Sequence, residues 1–287
     1  MFTALSELFP YFYTFLKFSF MKSKIILLSL LSAVLFSCSP VQQKAPVAKT
    51  TDNPLLMSTL YNYFAAEYQA LCYQAYNVAK ERATLLHKAF PKKKNMAIVL
   101  DIDETVLNNS PYQAKMIQLN THYDSCWNTW CRQANAKPVP GVVSFLKYAD
   151  SLGFNIFYVS NRKEKAVKAA TLENLKKFGF PQADEAHLYL RTSTSNKEPR
   201  RQTISKKYDI VLLAGDNLGD FYEDPAGFKA RKNKMEALRN EFGIKYIVLP
   251  NAMYGSWPGS IGLFSKHPPV DSLLKVMTKG FGRSCSQ

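Results

Sequence analysis

Met96-Ala97-Ile98-Val99-Leu100 runs directly into Asp101-Ile102-Asp103-Glu104-Thr105. Five apolar residues in a row, with no polar alternation, predict a short strand buried on both faces. Strands of that kind belong to parallel sheets covered by helices, because a parallel neighbour needs a long crossover connection. Two carboxylates stand immediately past the strand's carboxyl end, which is where open α/β sheets bind their ligands. This decapeptide sets both the fold class and the place to look for chemistry.

Three further apolar runs share its character: residues 155–159 (NIFYV), 209–213 (DIVLL) and 245–249 (KYIVL). Helical patterns lie between them over residues 141–151, 164–178 and 225–242, the last two stopped by Gly179 and Gly243. Upstream, Leu56, Leu60, Phe64, Tyr68, Leu71, Ala75 and Val78 fall at helical spacing and predict one long amphipathic helix over residues 55–89. Alternating strands and helices give an α/β fold, a doubly wound parallel sheet. Residues 108–138, with Trp127, Trp130, Tyr112, Tyr123, His122 and two cysteines, break the alternation. They are expected to form a small helical cap over the sheet end, packed with the 55–89 helix.

Every strand ends in polar residues. The second runs into Ser160-Asn161-Arg162, and the third into Ala214-Gly215-Asp216-Asn217 followed by Asp220. Asp101 and Asp103, two apart, project to the same side of an extended segment. Two carboxylates so close cannot both ionise without a cation or a shared proton. That arrangement suits a nucleophile and a general acid acting at one phosphorus atom. Asp216 comes from another strand, and with Asp101 it can hold a hard ion; Mg²⁺ takes one or two carboxylates plus substrate phosphate. Two aspartates after a strand are often only solvated loop residues or a helix N-cap. The ordered set of DxDxT, Ser, Lys and GDNxxxD is far more specific.

LDIDETVLNNS, VSNR, SNKEPR and GDNLGDF resemble the four motifs of the haloacid dehalogenase superfamily. More narrowly they are similar to the class C acid phosphatases, the outer-membrane lipoprotein 5′-nucleotidases, over roughly residues 55–280. The resemblance implies a Mg²⁺-dependent phosphomonoester hydrolase that forms an aspartyl-phosphate on Asp101. It makes Asp103 the general acid and base, with its backbone carbonyl on the metal. Asp216 becomes the second carboxylate ligand, and Asp220 a partner that orients a metal-bound water. Ser160 and Asn161 would hold the phosphoryl oxygens, and Lys197 would neutralise nucleophile and phosphate. Ser160 as a mere N-cap, Arg200 or Arg201 in place of Lys197, and a purely structural Asp220 stay open. Asn108 stands where the family commonly has Asp, which touches loop geometry and not the reaction.

Trp127 and Tyr254 resemble the family's pair of aromatics that stack on a flat group, which implies a nucleoside 5′-monophosphate as substrate. Stacking tolerates any base, since each has a π-face. The alternative is that Trp127 packs the cap's own core. Two rival functions remain: a surface lipoprotein that captures a flat ligand such as haem between aromatics, and a phosphotransferase. A binder has no need of both Asp101 and Asp103.

Residues 1–37 form a signal region, with Met21 expected as the true start. Lys22 and Lys24 precede an apolar run over residues 25–36, too short for a comfortable bilayer span. Leu35-Phe36-Ser37-Cys38 resembles a lipobox, which makes Cys38 the lipidation site; a plain signal peptide or a signal anchor is the alternative. Residues 38–54, rich in Pro, Ser, Thr, Gln and Lys, read as a flexible tether. A phosphatase domain over residues 55–287 would then be held by lipid at a membrane of the cell envelope, the outer membrane of a Gram-negative bacterium. Net charge is +15, and removing residues 1–37 takes away three lysines and one glutamate to leave +13. No nucleic-acid-binding motif accompanies that charge, so a field that draws in small phosphorylated anions is the preferred reading. A homodimer is left open. Cys72, Cys126, Cys131 and Cys285 match no zinc-ligand spacing and are expected as buried free thiols.

Overall fold

The computed structural model describes residues 53–121, 126–263, 265 and 268–279. The signal region, Cys38, nearly all of the tether, His122, Tyr123 and Cys285 lie outside the described residues.

The chain enters through helices α1 (Leu56–Phe64) and α2 (Ala66–Ala89) and then forms β1 (Met96–Leu100). A short strand β2 (Leu107–Asn108), helices α3 (Ser110–Leu119) and α4 (Trp127–Arg132) and strand β3 (Lys137–Pro138) make up the cap. Helix α5 (Val142–Ser151), β4 (Asn155–Lys163), α6 (Glu164–Lys177) and β5 (Leu188–Arg191) follow. Next come α7 (Glu198–Ser205), β6 (Asp209–Gly215), α8 (Phe228–Ala237), β7 (Tyr246–Val248), α9 (Trp257–Ser260) and α10 (Val270–Met277). Strands β1, β4, β5, β6 and β7 form one parallel sheet in the order β5-β4-β1-β6-β7.

The fold is the expected doubly wound α/β sheet. Strand β1 shows why its sequence carries no alternation. Met96, Ile98 and Leu100 face one core with Tyr76, Phe145 and Leu175, while Ala97 and Val99 face a second with Ile204 and Phe221. The connections leave β1 toward β4 and β5 through α5 and α6 on the first face. They return to β6 through α7 on the second face. With crossovers of one hand, reversing direction across the sheet moves the connecting helix to the opposite face. The reversal falls between β1 and β6, and this switch point is the crevice of the fold.

Several elements differ from the sequence expectation, among them α7, which it lacked, and α8, which is shorter than the expected 225–242. Strand β5 lay unrecognised because it is a short edge strand, half-buried in alternation, rather than a continuous apolar run. The expected single helix over residues 55–89 is two, broken at Ala65, whose ψ of 131° is extended. No glycine or proline marks the break, so spacing alone runs straight through it. The buried stripe of α2 is Tyr68, Cys72, Tyr76, Ala79 and Ala83, about one residue off the expected one, and its small residues let α2 lie close on α5. Leu60, Phe64 and Leu71 are exposed instead, and α1 buries Thr59 and Asn62.

Candidate active site

Strand β1 ends with the Asp101 backbone N–H donating to the Ala214 carbonyl at 3.0 Å, the last rung against β6. The chain then tightens. The N–H groups of Val106 and Leu107 both donate to the Ile102 carbonyl, at 2.9 and 2.8 Å. Glu104 takes a left-handed φ of 60° inside this turn, a conformation that costs a side-chain-bearing residue about 1–2 kcal/mol. Asn109 offsets that cost. Its backbone N–H donates to Glu104 Oε1 at 2.7 Å, and its Nδ2 donates to Glu104 Oε2 at 3.3 Å. The loop is thereby fixed with Asp101 in the crevice and Asp103 beside it.

Asp101, Asp216 and Asp220 bring one carboxylate oxygen each to within 4.8 Å of one another. Lys197 sits among them: its Nζ donates to Asp101 Oδ1 and, at 2.6 Å, to Asp220 Oδ1. Arg200 and Arg201 are engaged elsewhere. Arg200 donates to the Ser160 carbonyl at 2.6 Å and Asn161 Oδ1 at 2.7 Å; Arg201 donates to the carbonyls of Gly219 and Asp220 and to Glu198. Asp220 Oδ2 accepts from the Asn217 N–H at 2.9 Å, which closes the 3₁₀ turn Leu218–Asp220. Gly215 makes this closeness feasible, since a Cβ there would lie 2.3 Å from Asp220 Cβ. Asp216 is held by Thr105 Oγ1 at 3.3 Å and Asn251 Nδ2 at 2.8 Å.

Electrostatics follow from crowding. Burial pushes Asp101 well above the ordinary carboxylate range, and Asp220, Asp216 and Asp103 add to this against the pull of Lys197. Burial, then Asp220, raises Asp216 to about 7. For Lys197, burial alone would lower the ammonium, but Asp101 and Asp220 carry it above its ordinary value. Three carboxylates sharing one ammonium form an under-neutralised cluster of hard oxygen donors. A small divalent cation fits that donor set.

Asp103 stands outside the cluster. Its Oδ1 accepts from Arg162 Nη2 at 2.8 Å, Arg162 Nε at 3.0 Å and Asn109 Nδ2 at 3.0 Å, and its Oδ2 accepts from Ser160 Oγ at 3.2 Å. Any share of Asp103 in a metal site falls to its main chain. Ser160 is buried and Asn161 exposed at the β4 end, both at the crevice, with their side chains engaged by Asp103 and Arg200.

A sequence model of the HAD superfamily, subfamily IIIB (acid phosphatase), matches residues 31–257. The chain belongs to this acid phosphatase family. It is similar to the class C acid phosphatase from Bacillus anthracis, with a TM-score of 0.71 and 38% identity, covering 78% of this chain and 95% of that one. The same enzyme with tungstate bound aligns at a TM-score of 0.70 and 37% identity, over 79% and 96% of the two chains. Among curated relatives, the stem 31 kDa glycoprotein of Glycine max is 28% identical, over 57% of this chain and 64% of its own length. Acid phosphatase 1 of Solanum lycopersicum is 27% identical over 54% and 57%. The chain thus spans about three-fifths of the length of these relatives.

For this acid phosphatase family member, the two aromatics expected against a flat substrate differ in burial. Trp127 is only 8% exposed and packs with Tyr112, Met116 and Cys131 of the cap and with Val167 of α6, its ring T-shaped against Tyr112 at 4.9 Å. This burial accords with the alternative of a packing role for Trp127. Tyr254 is half-buried. Of the described cysteines, Cys72 and Cys131 are buried free thiols, whereas Cys126 is free but exposed at the start of α4. Asn108, the departure from the family pattern, donates from Nδ2 to the Asn62 carbonyl at 3.3 Å and accepts the Ser110 N–H at 2.8 Å. It ties the cap to α1. Sequence reasoning gave no role to Arg162, Asn109, Thr105 or Asn251. The first three stood inside quoted motifs, and their spacing gave no hint of what they hold.

Proposed function

We propose that the chain hydrolyses phosphate monoesters, with Asp101 as nucleophile. The observation that carries this reading is the position of Asp101: at the switch point, paired with Lys197, and within 4.8 Å of Asp216 and Asp220. Tungstate, bound by the Bacillus anthracis enzyme, is a tetrahedral oxyanion like phosphate and supports an oxyanion site here.

In this mechanism an Asp101 oxygen attacks phosphorus, and the bond from phosphorus to the leaving oxygen breaks. Lys197 neutralises the nucleophile and the charge on the transferring oxygens, with Ser160 and Asn161 beside them. Asp103 delivers its proton to the leaving alkoxide and then takes one from the water that opens the aspartyl-phosphate. Mg²⁺, held by Asp101, Asp216 and the Asp103 carbonyl with Asp220 behind them, would supply charge neutralisation at the phosphoryl oxygens. A nucleoside 5′-monophosphate is the proposed substrate, with Tyr254 the aromatic available to its base. Cys38 is the proposed lipid anchor, which would place the enzyme at a membrane of the cell envelope.

The test is acid-quench trapping with ³²P-labelled substrate. Asp101→Asn is expected to give no labelled protein and no turnover, and removal of divalent cations is expected to abolish turnover reversibly. Labelling of Asp101→Asn at the level of the unmodified enzyme would assign the nucleophile elsewhere.

A further inference from the structure

We propose that Arg162 is a positioning residue for Asp103, and that the cap holds this pair in place through Trp127 and Trp130. The inference rests on the reading of Asp103 as the proton donor. Arg162 ends the buried part of β4 and is 1% exposed. A guanidinium so deep needs partners for its fork. It directs Nε and Nη2 to Asp103 Oδ1 and Nη1 to Thr171 Oγ1 at 3.3 Å on α6. The arginine therefore ties a loop carboxylate to a helix of the core.

The same carboxylate is reached from the cap by two routes. Trp130 Nε1 donates to Asn109 Oδ1 at 2.8 Å, and Asn109 Nδ2 donates on to Asp103 Oδ1. The Arg162 guanidinium carbon lies 5.8 Å from the centre of the Trp127 ring, within range of a cation–π contact. Both tryptophans of α4 thus act on one acid through one intermediate residue each. Asp103 Oδ1, with three N–H donors, has no capacity left. Oδ2 has one hydroxyl and a longer 3.3 Å contact from Arg162 Nε. The geometry makes Oδ2 the oxygen that exchanges the proton with the leaving group, and Arg162 and Asn109 the groups that fix its position.

The experiment compares an alkyl phosphate, whose leaving alkoxide needs protonation, with 4-nitrophenyl phosphate, whose leaving phenolate needs little. Single-turnover phosphorylation is measured for the full metal-loaded enzyme and for Arg162→Lys, which keeps the charge and loses the fork. Misplacement of a proton donor by an ångström is expected to slow the alkyl substrate by about 100-fold, with KM nearly unchanged and the nitrophenyl step affected by less than about 5-fold. Trp130→Phe removes one N–H and is expected to shift the two substrates in the same sense by a smaller factor. In an Asp103→Asn background, Arg162→Lys should add nothing. Equal loss on both substrates, or full additivity with Asp103→Asn, overturns the proposal. If Arg162→Lys does not fold, a Trp130→Phe enzyme with unaltered leaving-group dependence overturns it as well. Should Asp103→Asn alone fail to discriminate the substrates, the acid assignment itself falls, and this inference with it.

Discussion

Gly215 offers a test of how tightly the acidic cluster is built. A methyl group at this position would lie 2.3 Å from Asp220 Cβ, 2.4 Å from Oδ2 and 2.6 Å from Cγ. Ordinary carbon contacts begin near 3.4 Å, so Asp220 must retreat by about 1 Å. Asp220 cannot do so without stretching its 2.6 Å bond from Lys197 and its 2.9 Å bond from the Asn217 N–H. Overpacking of this kind costs about 1–3 kcal/mol, which for a domain of this size lowers the melting temperature by roughly 2–10 °C. Lys197 is shared with Asp101, so the nucleophile moves too, and a displacement of an ångström at the reacting centre is worth about 100-fold in rate. Gly215→Ala should therefore remain folded by circular dichroism, melt a few degrees lower and lose about two orders of magnitude in kcat on 4-nitrophenyl phosphate. An alanine variant with unchanged kcat and melting temperature would show that the loop has slack the contact distances do not allow.

Asp216, raised to about 7 by burial and Asp220, binds a proton in the folded chain that the unfolded chain releases near pH 4. The stability this confers is complete below about pH 4 and is lost as pH rises through about 7. Metal-free protein should thus melt lower at about pH 8 than at about pH 5, with Mg²⁺ raising the melting temperature at about pH 8 and Asp216→Asn reducing the pH difference, to which the raised Asp101 also contributes; a level profile for the unmodified metal-free protein would contradict the assignment. Cys38→Ser should move the protein from the membrane to the soluble fraction, and a variant still recovered as a lipid-modified membrane species would rule out the lipobox reading.

The legible part of the fold was the part in which local and global requirements coincide. Residues 96–100 are apolar throughout because both sheet faces are covered, so a window of five residues reports the whole architecture. Strand β5 escaped for the opposite reason: at the sheet edge its half-buried alternation resembles a loop. The break at Ala65 escaped because helical spacing continues across it on both sides. In the site, carboxylates at strand ends could be read from order alone, and Asp101, Asp216, Asp220 and Lys197 do meet in the crevice. What spacing could not reveal was direction. Asp103 lies two residues from Asp101 yet turns to Arg162 rather than to the acidic cluster, because a buried guanidinium competes for it. Nor could spacing show how deeply Trp127 is set: it packs with Tyr112, Met116 and Cys131 of the cap and with Val167 of α6.

The cap begins and ends at a single antiparallel pair, Asn108 opposite Lys137 and Leu107 opposite Pro138. The segment between these two strands therefore departs from the sheet and returns to it through a hairpin mouth, while Trp127 packs beside Val167 of α6 and Ala136 exchanges hydrogen bonds with Asn174. The entropy of closing such an excursion grows only with the logarithm of its length, so β1 and β4 can find each other during folding whether or not the cap has organised. A segment joined in this way can be lengthened, shortened or exchanged with little consequence for the sheet. Its limits are set by what it touches, since any replacement must still present a donor to Asn109, a flat face to Arg162 and an apolar side chain to Val167. The cap is a module by its attachment and a fixed part by its hydrogen bonds.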